Sequence, residues 1–403
     1  LCHAHSATLQ ADATTHTFVL LNTTTSYDYI IAGAGCAGLS LAMHLIHSGQ
    51  FKDKAILIVD QHAKNSNDRT WCFWEKGEGL FEPIVHKQWE QLLFHSEKLS
   101  KPLNIRPYSY KLIRGIDFYV HCLSRIQSCS NFTYLQAPID KIVHDENRVG
   151  VQVDGRLIRS QFVFNSILFN KPQLSAKQCW LLQHFKGWFI KTAEPAFDPA
   201  VGTLMDFRTS QDHGATFFYV LPFSTHEALV EYTLFSPTLL EDQAYEDALQ
   251  QYIGKQLNIS NYSILEKEFG IIPMTNYSFP SKEGSIMNIG TAGGQTKGSS
   301  GYTFQFIQKR SKAIVESLLQ HGHPFKVHND SRRFHFYDSV LLHILNKRSL
   351  RGADIFTDLF KKNKASEVFA FLDNETSLTD ELKIISTLPT LPFTKAAIQQ
   401  LSF

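Results

Sequence analysis

The sequence predicts a two-domain α/β fold: a parallel sheet with helices, an inserted antiparallel sheet, and a helical C-terminal region. Three observations predict it. Residues 27–60 read as strand, glycine-rich turn, helix and second strand. From about 177 to 270, long segments such as GWFIKTAE, TFFYVLPF and EALVEYTLF suit an antiparallel sheet. Residues 326–403 carry apolar residues at helical spacing.

The first element is Tyr29-Ile30-Ile31-Ala32, apolar as a parallel strand buried on both faces should be. Gly33, Gly35 and Gly38 follow at once in a G-x-G-x-x-G turn. Gly33 permits the tight turn, Gly35 lets a pyrophosphate approach the backbone, and Gly38 lets the helix pack closely on the sheet. Leu39, Leu41, Ala42 and Leu45 form the apolar face of that helix, whose free N–H groups and dipole favour an anion. The second strand, Ala55–Val59, ends at Asp60, about 22 residues beyond Gly38, where a carboxylate binds the adenosine ribose. The unit predicts a Rossmann-like dinucleotide site. Asp60 disfavours a 2′-phosphate there, and the motif alone leaves FAD and NAD both open.

Residues 1–26 are Thr-, Ala- and His-rich and lack the features of a signal peptide. They are expected to be a disordered or added extension outside the fold. A first nucleotide-binding part then spans 27–176. After Asp60 comes a polar loop containing Arg69, Thr70, Trp71, Cys72, Phe73 and Trp74. Its Arg and two Trp either cover the cofactor and line a substrate entrance, or merely anchor the loop. A strand and a helix starting near Arg114 follow, then a β-rich excursion over 132–164 with a hairpin turn at Asp154-Gly155.

The antiparallel substrate domain is expected over 177–270, with a helix over roughly 241–256. The nucleotide domain returns over 271–325: the strand Ile286–Gly290, a second glycine-rich loop with Gly290, Gly293, Gly294 and Gly301, and a helix from about 303 to 320. Two glycine loops, one near each end of the chain, fit FAD better than NAD. In the helical region 326–403, basic residues flank the apolar positions between 340 and 364. Two readings stay open there: docking on a bilayer surface, or packing on the core with a solvated basic edge.

The chain has 403 residues and a net charge of +1, so no basic field points to nucleic acid. Its six Cys show no CxxC pairing and suggest neither a disulfide framework nor a zinc site. No metal site is expected. No stretch reaches the roughly 18 apolar residues that span a bilayer. Phe is abundant, at 31 residues, which suits either an ordinary core or a large apolar cavity.

Several stretches together resemble the bacterial flavoprotein-type lycopene β-cyclases. They are Asp68–Trp74; Phe218–Phe223 followed by Leu229–Ser236, similar to Y-x-L-P…L-V-E-x-T-x-F-S; Gly270–Met274, similar to G-x-I-P-M; and Gly290–Phe304. Gly298 stands where that family often has Pro, and the first 26 residues have no counterpart.

The resemblance implies a monotopic, FAD-containing isomerase that closes the ψ-ends of lycopene into β-ionone rings. It works with reduced flavin and no net redox change, and NAD(P)H is the external reductant. Its partners are linear carotenoids and a membrane surface, and it sits in the cytoplasm, peripheral to the inner membrane. FAD is expected on Gly33, Gly35, Gly38, Asp60, Arg69, Gly290, Gly293, Gly294 and Gly301. Glu231 is expected to be the catalytic acid. Its neighbours Phe217, Phe218, Tyr219, Leu229, Val230 and Tyr232 would desolvate the carboxyl and raise its pKa.

Trp71, Trp74 and Tyr232 are candidates for stabilising the carbocation. Asp206 is the runner-up acid, although Arg208 beside it favours its ionised form. The alternatives are a flavin monooxygenase or prenyl reductase on the same fold, or a non-catalytic lipid-binding flavoprotein. Gly290-Thr291-Ala292 lacks the acid that monooxygenases of this fold usually carry there.

Overall fold

A computed structural model describes residues 26–144, 148–327 and 332–401. The extension expected over 1–26 lies outside the described residues except for Ser26, which opens the first strand.

The nucleotide-type sheet runs in the order Phe132–Gln136, Ile56–Asp60, Ser26–Ala32, Arg156–Asn165, Ile286–Asn288, each pair parallel. Ile30, Ile31, Ala32, Leu57, Ile58 and Val59 have no solvent exposure, as strands covered on both faces require. The helices Cys36–Ser48 and Phe304–His321 pack together beside this sheet. The expected hairpin is present: Val149–Val153 pairs with Arg156 onward, and Asp154 (φ 48°) and Gly155 (φ 73°) make the turn.

The second sheet has seven strands. Its order is Tyr262–Thr275, Trp180–Thr192, Glu227–Ser236, Ala215–Pro222, Val201–Asp206, Gln91–Ser96, Leu99–Asn104. The sheet therefore does not come from 177–270 alone. Its last two strands belong to a hairpin at 91–104, brought in because Val201–Asp206 pairs parallel with Gln91–Ser96. Local periodicity carries no sign of a pairing so distant in the chain.

The segment expected as a polar loop also differs. Thr70–Lys76 is a strand, paired with Tyr108–Arg114 in a three-stranded sheet. Trp71, Phe73 and Trp74 favour a pleated surface. They hide the two-residue alternation because both faces of the strand are covered: Phe73 stacks on Phe304 and Trp74 on Phe369.

The helices Arg332–Asn346, Gly352–Lys362 and Ala365–Leu372 close the core on this side. Val340, Ile344, Leu345, Ile355, Phe356, Leu359 and Phe360 are buried in the same cluster as Phe94, Phe207 and Phe217. Phe356 stacks on Phe207 at 5.6 Å and Phe360 lies 5.0 Å from Phe94. Burial of such side chains stabilises the fold by about 1.5–3 kcal/mol each. The apolar faces at 340–364 are thus part of the core and are not free to dock on a bilayer. Among the described residues, no helix is long and apolar enough to cross a membrane.

Candidate active site

A cavity of about 700 Å³ opens between the glycine turn, the strand Thr70–Lys76 and one face of the seven-stranded sheet. Its floor is Gly35, Cys36 and Ala37, the start of the first helix. Gly35 caps that helix with no side-chain hydrogen bond, leaving its first N–H groups for a ligand.

Each glycine of the turn has its own steric reason. Gly33 has φ +96°, and a Cβ there would lie 2.3 Å from Ser166 Oγ. A Cβ on Gly38 would lie 1.9 Å from the Gly33 carbonyl oxygen. A Cβ on Gly35 meets nothing within 4 Å, so it would project into open space. Asp60 does not reach the cavity wall. Its buried carboxylate accepts the N–H of Ala34 at 2.7 Å and of His62 at 2.8 Å, and pairs with Lys64 at 3.2 Å. It ties the second strand to the turn, while His62, Ala63 and Lys64 take the wall.

The return loop closes over the floor. Gly290 (φ +61°) approaches so closely that a Cβ would lie 2.8 Å from Ala37 Cβ. Gly301 (φ +74°) leaves room for Gln183, whose Oε1 a Cβ would meet at 1.9 Å. Ser300 Oγ and Gln183 Oε1 are buried at the cavity with no protein partner. Gly290 and Gly301 line this cavity, whereas Gly293 and Gly294 line a second one behind the loop. Arg69 and Trp71 stand on the cavity wall; Trp71 is half-buried against Phe118, 4.8 Å away.

The sheet face supplies the chemistry. Tyr219, Glu231, Gly187 and Glu268 form one row across four adjacent strands: Tyr219 opposes Glu231, Glu231 opposes Gly187, and Gly187 opposes Glu268. Glu231 is on the cavity wall and Glu268 lies behind it, 8% exposed. Thr233 donates to Glu231 Oε1 at 2.6 Å, and Thr70 donates to Glu268 Oε2 at 2.6 Å. Burial, then repulsion from Glu268, pushes the Glu231 carboxyl well above the usual carboxylate range. Burial raises Glu268 as well. Tyr302 bridges Tyr110 at 3.3 Å and Tyr219 at 3.4 Å, and desolvation raises all three phenols, which stay neutral.

Three of the expected catalytic residues are not brought to this cavity. Tyr232 follows Glu231 along a strand, so it faces the other side of the sheet; there it stacks on Phe218 beneath the helix Asp242–Lys255. Asp206 is on that far side too, fully buried, with its carboxylate held by Arg208 at 2.6 Å and the Tyr252 hydroxyl at 2.7 Å. Burial alone would raise its pKa, but Arg208 and Tyr252 outweigh this and hold it below the usual range. Trp74 is buried 4.3 Å from Tyr302 and backs that ring without touching the cavity.

Sequence reasoning missed Glu268, Thr70, Thr233, Gly187 and the Tyr110–Tyr302 pair. The signal for Glu268 was its place two residues before Gly270 of the G-x-I-P-M stretch. Its meaning depends on strand register, which sequence did not give.

A glycine turn under a parallel sheet, a second glycine loop and an antiparallel roof define a two-domain flavoprotein-type fold. Solved structures share it. A geranylgeranyl bacteriochlorophyll reductase-like protein from Thermoplasma acidophilum superimposes with TM-score 0.63 at 11% identity, covering 93% of this chain and 99% of that one. A flavoprotein/dehydrogenase from Cytophaga hutchinsonii gives 0.59 at 12% identity, covering 94% and 99%. The chain belongs to the lycopene cyclase protein family, which matches residues 28–398. It is also 25% identical over 321 residues to the chloroplastic neoxanthin synthase of Solanum tuberosum, covering 73% of this chain. The match spans 61% of that relative's length.

Proposed function

We propose that the protein is a lycopene β-cyclase that uses FAD in its reduced form, kept so by NAD(P)H. The observation that carries the reading is Glu231: a carboxyl on the wall of an aromatic-lined cavity, pushed well above the usual carboxylate range by desolvation and by Glu268. The cavity suits FAD. The first helix offers free N–H groups, Gly35 leaves space for a pyrophosphate, and Ser300 Oγ and Gln183 Oε1 are unpaired polar atoms available to a polar ring edge. When bound, the reduced flavin supplies negative charge that stabilises a nearby cation.

Glu231 delivers a proton to C2 of the lycopene end, leaving a tertiary cation at C1. The 5,6 double bond closes the C1–C6 bond, and loss of the C6 proton completes the β-ring. One end reacts at a time, giving γ-carotene and then β-carotene. An alkene is a very weak base, so the acid must be desolvated and protonated, which the raised pKa of Glu231 favours. Rings of Phe185, Tyr110, Tyr219 and Tyr302 face the cavity and stabilise the cation through their π-faces. The hydroxyls of Thr233 and Thr70 are engaged with the carboxyls and those of the tyrosines with each other, which disfavours their trapping the cation.

Apolar side chains left exposed give a docking face on a membrane surface. Leu378, Leu382, Leu391, Ile398 and Leu401 are all more than half exposed on the last two helices, beside Lys383 and Lys395. On the edge strand, exposed Ile271 also lines the cavity.

A second reading is a flavin monooxygenase or prenyl reductase, favoured by the reductase-like fold neighbour. Product analysis separates them. Protein with reduced FAD and lycopene in lipid vesicles should yield cyclic carotenes of unchanged mass. A hydrogenated or oxygenated product would move the assignment to the second reading.

A further inference from the structure

Glu268 is the unexplained group of this site. It is buried, off the cavity wall, and one strand removed from Glu231 across Gly187. The glycine leaves room for the Glu268 side chain next to the Glu231 strand. A Cβ on Gly187 would lie 2.9 Å from both Glu268 Cγ and Glu268 Oε1.

The hydroxyls on either side then decide which oxygens remain. Thr233 occupies Glu231 Oε1 and Thr70 occupies Glu268 Oε2. Glu268 Oε1 is buried and has no hydrogen-bond partner. Glu231 and Glu268 flank Gly187 in one row of the sheet, and Glu268 Oε1 lies over that glycine. Two like charges held close in dry surroundings do not readily both ionise.

We propose that Glu268 is the positioning residue of the acid: it accepts the hydrogen bond of protonated Glu231 and so fixes one proton on the carboxyl that faces the cavity. The proposal rests on the cyclase reading for its catalytic meaning. The cycle balances. The pair begins with one proton and one negative charge. It gives the proton to C2, and the C1–C6 bond forms. The C6–H bond then breaks, and the pair regains one proton. No redox partner is needed.

The other groups around the pair are Cys72, Tyr219 and Tyr302, neutral beside Glu231, and Glu266 and Arg69, which act on Glu268 in opposite senses. Glu268 is thus the charge that most directly favours the protonated form of Glu231.

The test uses the FAD-loaded full chain and Glu268→Gln, with lycopene turnover followed against pH. A glutamine removes the like charge and offers Glu231 an N–H donor, which favours its ionised form. The alkaline limb should move down by about one to three pH units, so loss above neutral pH is recovered in mild acid. Glu268→Asp, which keeps the charge, should retain the wild-type limb at lower rate.

Infrared absorption of the protonated carboxyl gives a readout independent of turnover. Its band should persist to higher pH in the wild type and in Glu268→Asp than in Glu268→Gln. An equal loss at every pH, with an unmoved infrared titration, would overturn the proposal and leave Glu268 a structural residue. If the band moves as expected but lycopene is not cyclised, the proton pair stands and the cyclase reading falls.

Discussion

Glu231 is in register with Gly187, and the side chain that Gly187 lacks leaves the space that Glu268 occupies. Gly187→Ala tests this arrangement. The new Cβ would crowd Glu268 and Leu229 Cδ1, each at 2.9 Å. Overpacking of this kind costs about 1–3 kcal/mol, which the fold should survive. Flavin absorbance should be kept while cyclisation falls at least about tenfold, a barrier change of about 1.4 kcal/mol. Wild-type turnover in Gly187→Ala would show that the spacing of the two carboxyls does not matter.

The two inner glycines of the first turn should separate folding from cofactor binding. Gly35 faces open space and has an ordinary φ of −79°. Gly35→Val should therefore fold with a near-normal Tm and lose the yellow chromophore. Gly38 has a backbone oxygen 1.9 Å from its would-be Cβ. Gly38→Ala should lose stability itself, read as a fall in Tm of the flavin-free protein. Full flavin absorbance in Gly35→Val would contradict the pyrophosphate placement.

Asp206 should matter to stability and not to chemistry. Its folded pKa lies below the usual range. Its contribution is therefore present above the unfolded carboxylate range and lost as pH falls through the folded value. Breaking such a pair costs about 3–5 kcal/mol when fully buried, and less here because Arg208 is 34% exposed. Asp206→Asn should lower Tm at neutral pH, approach the wild type in acid, and leave turnover per folded molecule unchanged. A large loss of turnover with an unchanged Tm would restore Asp206 as a candidate acid.

Vesicle binding should follow the last two helices, not the segment 340–364. Leu391 is 85% exposed and Leu382 58% exposed. Leu382→Glu with Leu391→Glu should weaken co-sedimentation with anionic vesicles several-fold at unchanged Tm. Equal binding by the double variant would remove this face as the docking surface.

The parts of the fold set by local chemistry were readable in the chain. The G-x-G-x-x-G turn, the Asp154-Gly155 hairpin and the helix near 241–256 follow from φ requirements and apolar spacing within a few residues. What could not be read depended on distant pairing. Nothing local marks Gln91–Ser96 as the partner of Val201–Asp206. Register also decided the site. Glu231 was legible through a resemblance, but its partner Glu268 required knowing that Gly187 pairs with both. Tyr232 failed as a candidate for a simple reason: a neighbour along a strand faces the opposite side.

The central claim is that Glu231 gives the proton that starts ring closure, and Glu231→Gln tests it most directly. The substitution keeps shape and hydrogen bonding but removes the acid. Glu231 lies on the sheet and belongs to neither glycine loop, so flavin content should match the wild type. With reduced FAD and lycopene in vesicles, turnover should fall by about 10²–10⁴-fold, and in deuterated water the wild type should place deuterium at C2 of the new ring. Lycopene cyclised by flavin-loaded Glu231→Gln at the wild-type rate would contradict the account.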